Sequence, residues 1–256
     1  MRFECLHVSQ TYETATGSVS ALQDVSFSVN TREFVSVVGP SGCGKTTLLK
    51  VIAGLLQPTS GRIAMTGAIT RGRPPCALVF QDHGLFPWLT VLHNVAFGLE
   101  MQGVERQERL DRAQTFIGRV GLSRFADFYP HQLSIGMQQR VGIVRAFVTD
   151  PDVLLMDEPF GALDSQTRIV LQEELLRIWN TNPKVVIFVT HDIDEAVRLS
   201  DRVLVMTGRP GRVREEIPVP LPRPRNLSRE ATAAISEIKW HIWALLEDEV
   251  RKGSFA

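Results

Sequence analysis

The sequence predicts an α/β fold organised around a phosphate-binding loop and interrupted by an all-helical segment. Gly39-Pro40-Ser41-Gly42-Cys43-Gly44-Lys45-Thr46-Thr47 fits the pattern G-x-x-x-x-G-K-[ST] without a mismatch. An apolar run, Phe34–Val38, feeds it, and Thr47–Ala53 continues with helical spacing. Two more apolar runs end in polar tips: Val153–Met156 in Asp157-Glu158, and Lys184–Thr190 in His191. Strand tips of this kind are where open α/β sheets bind ligands. Residues 91–149, by contrast, read as helices with no strand among them, which marks a small subdomain set into the α/β chain.

A chain of 256 residues can bury a core as one large domain or as a core with a subdomain. Its 28 basic and 28 acidic side chains balance, so nothing in the charge points to a nucleic acid or other polyanion as partner. Cys5, Cys43 and Cys76 are scattered and odd in number, against a disulfide framework or a zinc site and in favour of a reducing cytosol. The start, Met1-Arg2-Phe3-Glu4-Cys5, has no apolar signal core. No apolar run approaches the ~18–20 residues that span a bilayer. Work at a membrane would depend on another protein's helices.

Taken in order, residues 2–38 read as strands, with Val25–Val29 alternating strictly as a half-buried strand does. Tyr12 lies ahead of a Gly17/Ser18 turn; it can stack on a base or be an ordinary turn aromatic. In the glycine loop, backbone N–H groups turn inward around an anion and the following helix adds its positive end. Lys45 then reaches the β- and γ-phosphates and the Thr46 hydroxyl ligates Mg2+. The loop therefore binds a nucleoside triphosphate. A thiol among those N–H groups, Cys43, is expected to carry thiolate character.

Gln57–Gly61 is a turn, Arg62–Met65 starts a strand, Gly67–Pro75 is loop-like, and Cys76–Phe80 is a buried strand ending at Gln81. That amide can face a nucleotide or cap the turn. Leu85-Phe86-Pro87-Trp88-Leu89 is too apolar for a plain loop: it is a partner patch or packs beneath the next helix. Helices are expected at Val91–Glu100, Glu105–Val120 and from about Ser134, which is placed as an N-cap.

Asp157 at the end of its strand is placed to hold Mg2+, and Glu158 to face an attacking water as general base. Asp164 caps a helix running to about Trp179. His191 ends the next strand. His7, His83, His93, His131 and His241 read as structural. Arg202–Met206 is a strand, Gly208–Gly211 a turn, Val213–Val219 an edge strand and Pro218–Pro224 a stiff connector. A last helix runs from Ser228 to about Arg251, with Ile235, Ile238, Ile242, Leu245 and Leu246 on one face.

This ordered set resembles the nucleotide-binding subunit of an ABC (ATP-binding cassette) transporter over essentially the whole chain. Tyr12 corresponds to the aromatic loop, Gln81 to the Q-loop and Leu133–Arg140 to the signature. Asp157/Glu158 match the Walker B pair, Ala162-Leu163-Asp164 the D-loop and His191 the H-loop. The resemblance implies a P-loop NTPase (RecA-like) core with an antiparallel β subdomain and an inserted α-helical subdomain at about 85–149. The cassette would cover 1–230, and 231–256 would be a C-terminal helical extension. It implies ATP and Mg2+, with Thr46, Gln81 and Asp157 toward the metal.

It further implies two copies pairing head to tail, so that Ser134, Gly136, Gln138 and Asp164 of one copy complete the site holding the other's ATP. The catalytic set would be Glu158, His191 and Gln81. Leu85–Leu89 would grip a transmembrane permease at the cytoplasmic face of the inner membrane, and a separate solute-binding protein would act indirectly. Gln81–Val91 with Asn94–Leu99, and Gly208–Val213, resemble the nitrate, sulfonate and taurine importer branch, which also contains importers of thiamine precursors. The departure is Ile135, where the family's signature has glycine; the expectation is a working but impaired site. A soluble ABC ATPase without transport is the alternative, though no tandem cassette, coiled-coil insertion or basic arm is visible. A small-molecule kinase or GTPase would leave Leu133–Arg140 and His191 unexplained.

Overall fold

The computed structural model describes residues 2–15, 17–67, 74–82, 84–223, 225 and 229–253. His83, the start of the last helix at Ser228, positions 68–73 of the 67–75 loop and Pro224 of the connector lie outside them. The elements in chain order are β1 (Arg2–Thr14), β2 (Gly17–Asn30), β3 (Phe34–Val38), α1 (Lys45–Ile52), β4 (Ser60–Thr66) and β5 (Cys76–Val79). There follow α2 (Val91–Met101), α3 (Arg106–Arg119), α4 (Ile135–Val148), β6 (Val153–Asp157), α5 (Ser165–Thr181) and β7 (Val185–Val189). The chain then continues through α6 (Ile193–Leu199), β8 (Arg202–Met206), β9 (Val213–Pro218) and α7 (Arg229–Gly253). It forms two compact units, Met1–Ala68 with Val185–Ala256, and Ile69–Lys184.

The first unit holds two sheets. Strands β2-β1-β4 form an antiparallel sheet in that order, with Phe3 opposite Val29 on one side and Met65 on the other. Phe3, Cys5 and Val8 are buried; the inward phase changes at His7, which takes φ 52° where the register shifts. The strands run longer than the hydrophobic alternation alone marks, because the hairpin extends to Thr14 opposite Gly17. In the other sheet β3 lies between β7 and β8, parallel to both, and β9 closes the edge antiparallel to β8. Every residue of β3 and β7 is buried, as the continuous apolar runs of a two-sided parallel sheet require. Each such Val, Ile or Phe contributes about 1.5–3 kcal/mol of transfer free energy.

Helix α6, unforeseen in the sequence, spans only about two turns at Ile193–Leu199. It forms because Asp192 caps it, accepting from the N–H groups of Asp194 and Glu195. α7 packs against α6 and β8: Ile242 is fully buried with Val203, Val205 and Ala196, and Ile235, Ile238, Leu245 and Leu246 flank it. The face expected from the spacing is the face that packs.

The second unit pairs β5 with β6 in parallel and carries α2–α4 and α5. Helices α2, α3 and α4 pack on one another. Glu105 caps α3 through the N–H groups of Gln107 and Glu108, and Asn182 and Lys184 after α5 both bond Asp150 after α4.

Candidate active site

In the first unit the parallel register decides what meets what. Val37 of β3 lies opposite Val189 of β7, and Val38 opposite Val205 of β8. The glycine loop, His191 and the β8–β9 turn therefore leave the same end of one sheet. Gly44, the residue before α1, has φ 105°, and a Cβ there would stand 2.8 Å from both the Ala21 carbonyl oxygen and Leu22. Only glycine fits that approach. No side chain caps α1 and its first turn holds no acid, so its leading N–H groups remain for an anion. The Lys45 side chain, 6 % exposed, curls over the loop and donates to the carbonyls of Gly39 (2.8 Å) and Pro40 (3.0 Å). Ser41 and Thr46 are exposed.

Cys43 corrects an expectation. Its sulfur faces into the molecule: a Cβ on Gly39 would lie 2.8 Å from it. Burial raises the thiol's pKa, and the nearby Lys45 charge only partly offsets that. The residue is a packing thiol rather than a thiolate. Tyr12 belongs to β1 rather than to a turn, and its hydroxyl lies 3.3 Å from Thr47 Oγ1 in the first turn of α1.

His191 is exposed at its strand tip. Its neighbours are tightly braced. Buried Thr190 donates from its hydroxyl to buried Glu195 (2.6 Å) and accepts the Asp192 N–H (3.0 Å), while Asp192 caps α6. Glu195 escaped the sequence reading because nothing in the run Asp192-Ile193-Asp194-Glu195 marks which of its acids turns inward.

In the second unit Val79 lies opposite Met156, so Gln81 beyond β5 and Asp157-Glu158 at the tip of β6 leave one edge side by side. Gln81 is exposed and Asp157 buried. Glu158 has φ 44°. A non-glycine residue in the left-handed region costs of order 1 kcal/mol and persists where the surroundings impose it, often at sites of chemistry. Beyond it Asp164 caps α5, accepting from Gln166 and Thr167. The Thr167 N–H and hydroxyl hold its carboxyl below the usual carboxylate range.

Ser134 caps α4, its hydroxyl accepting the Met137 N–H. A Cβ on Gly136 would stand 3.0 Å from the Thr167 methyl on α5, a tight contact that a larger residue could make only if Thr167 shifted. The Gln138 amide donates to the Pro130 and Leu133 carbonyls, fastening the turn that enters the helix. Ile135 is 52 % exposed.

The segment Leu85–Leu89 divides between its two readings. Phe86 packs on Phe97 of α2 with ring centroids 4.5 Å apart, whereas Trp88 stands 69 % exposed. Fully buried Asn94 shapes the loop: its oxygen accepts the Phe86 N–H, and its amide donates to the carbonyls of Phe86, Leu89 and Thr90. Arg145 of α4 donates to the Gly84 carbonyl at 2.7 Å. Neither role is legible in sequence: the Asn94 bonds depend on how the preceding loop folds back on it, and the Arg145 bond crosses 61 positions to backbone.

Residues 22–161 match the family described as ABC transporter. The chain belongs to that family. An uncharacterized ABC transporter ATP-binding protein of Methanocaldococcus jannaschii is 49 % identical over 249 residues, covering 96 % of this chain and 91 % of the relative. The taurine import ATP-binding protein of Rhizobium johnstonii is 52 % identical over 197 residues, covering 77 % of this chain and 75 % of its own length. The nitrate import ATP-binding protein of Synechocystis is 44 % identical over 236 residues, covering 92 % and 89 %. Among solved structures, a dimeric ATP-binding cassette in a post-hydrolysis state with ADP and Pi superposes with TM-score 0.75 at 34 % identity, covering 85 % of this chain and 98 % of that one. This ABC protein is an ATP-binding subunit that hydrolyses ATP, with the P-loop NTPase fold. Among the described residues no helix is long and apolar enough to cross a membrane.

Proposed function

We propose that this ABC protein energises an importer: two copies pair head to tail around two ATP molecules and drive a separate transmembrane permease from the cytoplasmic face. The observation that carries the reading is the gathering of polar residues at adjacent parallel strand ends within each unit. Lys45 and His191 are gathered in one unit, and Gln81 with Asp157 and Glu158 in the other.

Each copy holds the phosphates of its own ATP with the Gly39–Thr47 loop and Lys45, while Tyr12 lies toward the base. Ser134 and Gly136, with Gln138 and Asp164 near them, approach the γ-phosphate from the other copy. Glu158 takes a proton from the attacking water, and Gln81 and His191 orient it. The catalytic advantage is positioning and charge stabilisation around an in-line displacement. The exposed Thr46 hydroxyl, the Asp157 carboxylate and the Gln81 amide are oxygen donors suited to Mg2+. Among the described residues no cluster of three acidic, His or Cys side chains could hold a metal ion. When bound, Mg2+ supplies charge neutralisation at the phosphates. Exposed Trp88 forms the grip on the permease, which with a solute-binding protein selects the solute.

Relatives named for import of taurine and nitrate support a small solute of that kind, nitrate, taurine or another aliphatic sulfonate. The test is growth of a deletion strain with nitrate as sole nitrogen source, or taurine or other alkanesulfonates as sole sulfur source, against sulfate with ammonium. Failure on one source, rescued by wild type and not by Glu158→Gln, is expected. Normal growth on all of them removes this solute class and turns attention to other small compounds such as thiamine precursors.

A further inference from the structure

The phosphate loop is held from outside as well as from within. The β8–β9 turn leaves the same sheet end and lies against it, backbone to backbone: a Cβ on Gly211 would stand 2.1 Å from the Cys43 carbonyl oxygen. Gly211 is stitched down further, donating to the Ala21 carbonyl (2.9 Å) and accepting the Gln23 N–H (3.0 Å). From this turn Arg209 donates to the Gly42 carbonyl through both Nε (3.3 Å) and Nη2 (3.2 Å).

The turn is anchored in its turn by the last helix. Glu249 of α7, only 9 % exposed, accepts the Gly208 N–H on one carboxylate oxygen (3.0 Å) and Arg214 Nη1 on the other (2.9 Å). Arg214 also bonds the Leu245 carbonyl (2.7 Å) and Asp248 (3.0 Å). α7 is therefore linked to the loop: Glu249 holds the Thr207-Gly208 peptide, the chain passes directly from Gly208 to Arg209, and the Arg209 guanidinium holds the Gly42 carbonyl.

The chemistry of that last contact is specific. Each peptide is planar, so holding the Gly42 carbonyl fixes the plane shared with the Cys43 N–H, which here donates within the loop to the Pro40 carbonyl at 3.3 Å. An anion cradle needs its N–H groups turned in and its carbonyls turned out. A cation on an outward carbonyl favours that arrangement, and it does so without touching the nucleotide.

We propose that Arg209 is a positioning residue for the phosphate loop, and that Glu249 of the C-terminal helix, by fixing the turn that carries Arg209, sets the affinity for ATP. The inference rests on the reading of Gly39–Thr47 as the ATP site. It gives α7, 25 residues long, a function beyond covering the sheet: a change at this helix is felt at the nucleotide.

The test uses the full chain, with ATP affinity measured by displacement of a fluorescent ATP analogue and steady-state ATPase kinetics beside it. Arg209→Ala is expected to raise Kd and KM for ATP about fivefold, roughly 1 kcal/mol, with kcat lowered less than twofold and Tm held within a degree or two. Arg209→Lys, which keeps a donor with less reach, restores most of the affinity. Glu249→Gln, which keeps volume and loses the charge pairing with Arg214, raises Kd in the same sense. Combined with Arg209→Ala it adds little, because both act through one contact. Unchanged Kd in Arg209→Ala overturns the proposal, as does a loss in which ATP affinity, kcat and Tm fall together without rescue by lysine. So does full additivity of the two substitutions. Lys45→Ala separates the layers: if it binds ATP like wild type, the site assignment itself fails, whereas loss in Lys45→Ala with none in Arg209→Ala removes this inference alone.

Discussion

Helices α1 and α4 each begin at a glycine-bearing segment with no acid in the first turn, yet they are finished differently. α1 starts at Gly44 with no side-chain cap; α4 is capped by the Ser134 hydroxyl. An uncapped N-terminus leaves donors without partners, a cost that the rest of its surroundings must offset. Around α1 they do: Leu48, Leu49, Val51 and Ile52 are buried and Lys45 is bonded to two loop carbonyls. α4 instead has one leading N–H, that of Met137, capped by Ser134, and Ile135 beside it is half exposed. Under the proposed function, the first terminus would meet the ATP of its own chain and the second that of the other copy.

Substitution at the two termini gives the largest separation. Lys45→Ala is expected to weaken ATP binding by one copy about 10- to 100-fold, the range of a hydrogen bond to a charged group. Ser134→Ala should leave that affinity in place and lower turnover, while costing about 1 kcal/mol of stability through the lost cap. Equilibrium binding at concentrations below dimerisation, beside phosphate release, reads both. Equal loss of binding in the two variants breaks the comparison.

The thiol inside the first terminus sharpens it. Cys43 lies beneath the loop with its pKa raised by burial, and Cys5 is pushed up to about 12 for the same reason. Alkylation of the folded protein by iodoacetamide at neutral pH should therefore be at least about tenfold slower at these residues than in the unfolded chain. Cys76, partly exposed, should react ahead of them. Mass spectrometry of the labelled peptides checks the order; early labelling at Cys43 would mean the loop opens far more readily than its packing implies.

At the second terminus, Ile135→Gly should raise turnover by about two- to tenfold, no more than 1.4 kcal/mol of barrier. The branched side chain stands where the seam between copies would close. The same change should destabilise the chain by up to about 1 kcal/mol, since glycine is a poor helix former. An unchanged ATPase rate removes Ile135 as an impediment.

The difference between the termini also explains what was legible beforehand. The loop Gly39–Thr47 reads from sequence because its constraints are local: glycines at fixed spacing between an apolar strand and a helix. Asp157-Glu158 reads for the same reason, as paired acids closing an apolar run, although the positive φ of Glu158 does not. Ser134 was legible as a cap from its position alone, and as part of a site only through resemblance. Arg209 was not legible because it acts on backbone 167 positions away, which only the fold brings near; Asn94 and Glu195 act locally, but through turn geometry that carries no periodic signal. The thiolate expectation for Cys43 failed because loop spacing says nothing about which way a side chain faces.

The smallest effect concerns Asp164, which caps α5 as Ser134 caps α4, but with a charge. Hydrogen bonds from Thr167, and less so Gln166, hold its carboxyl below the ordinary range. A folded-state pKa below the unfolded one stabilises the fold wherever the carboxyl is ionised in both states. That contribution is complete above the unfolded value of about 3.9 and is lost as pH falls through the lower folded value. Asp164→Asn keeps a good cap and removes the charge. The stability difference between wild type and Asp164→Asn, from urea unfolding, should thus be constant between about pH 6 and 8 and shrink as pH falls below about 4. The exposed position keeps it small. A difference that persists unchanged into acid would show that shape, not charge, does the capping, and would make the caps of α4 and α5 equivalent.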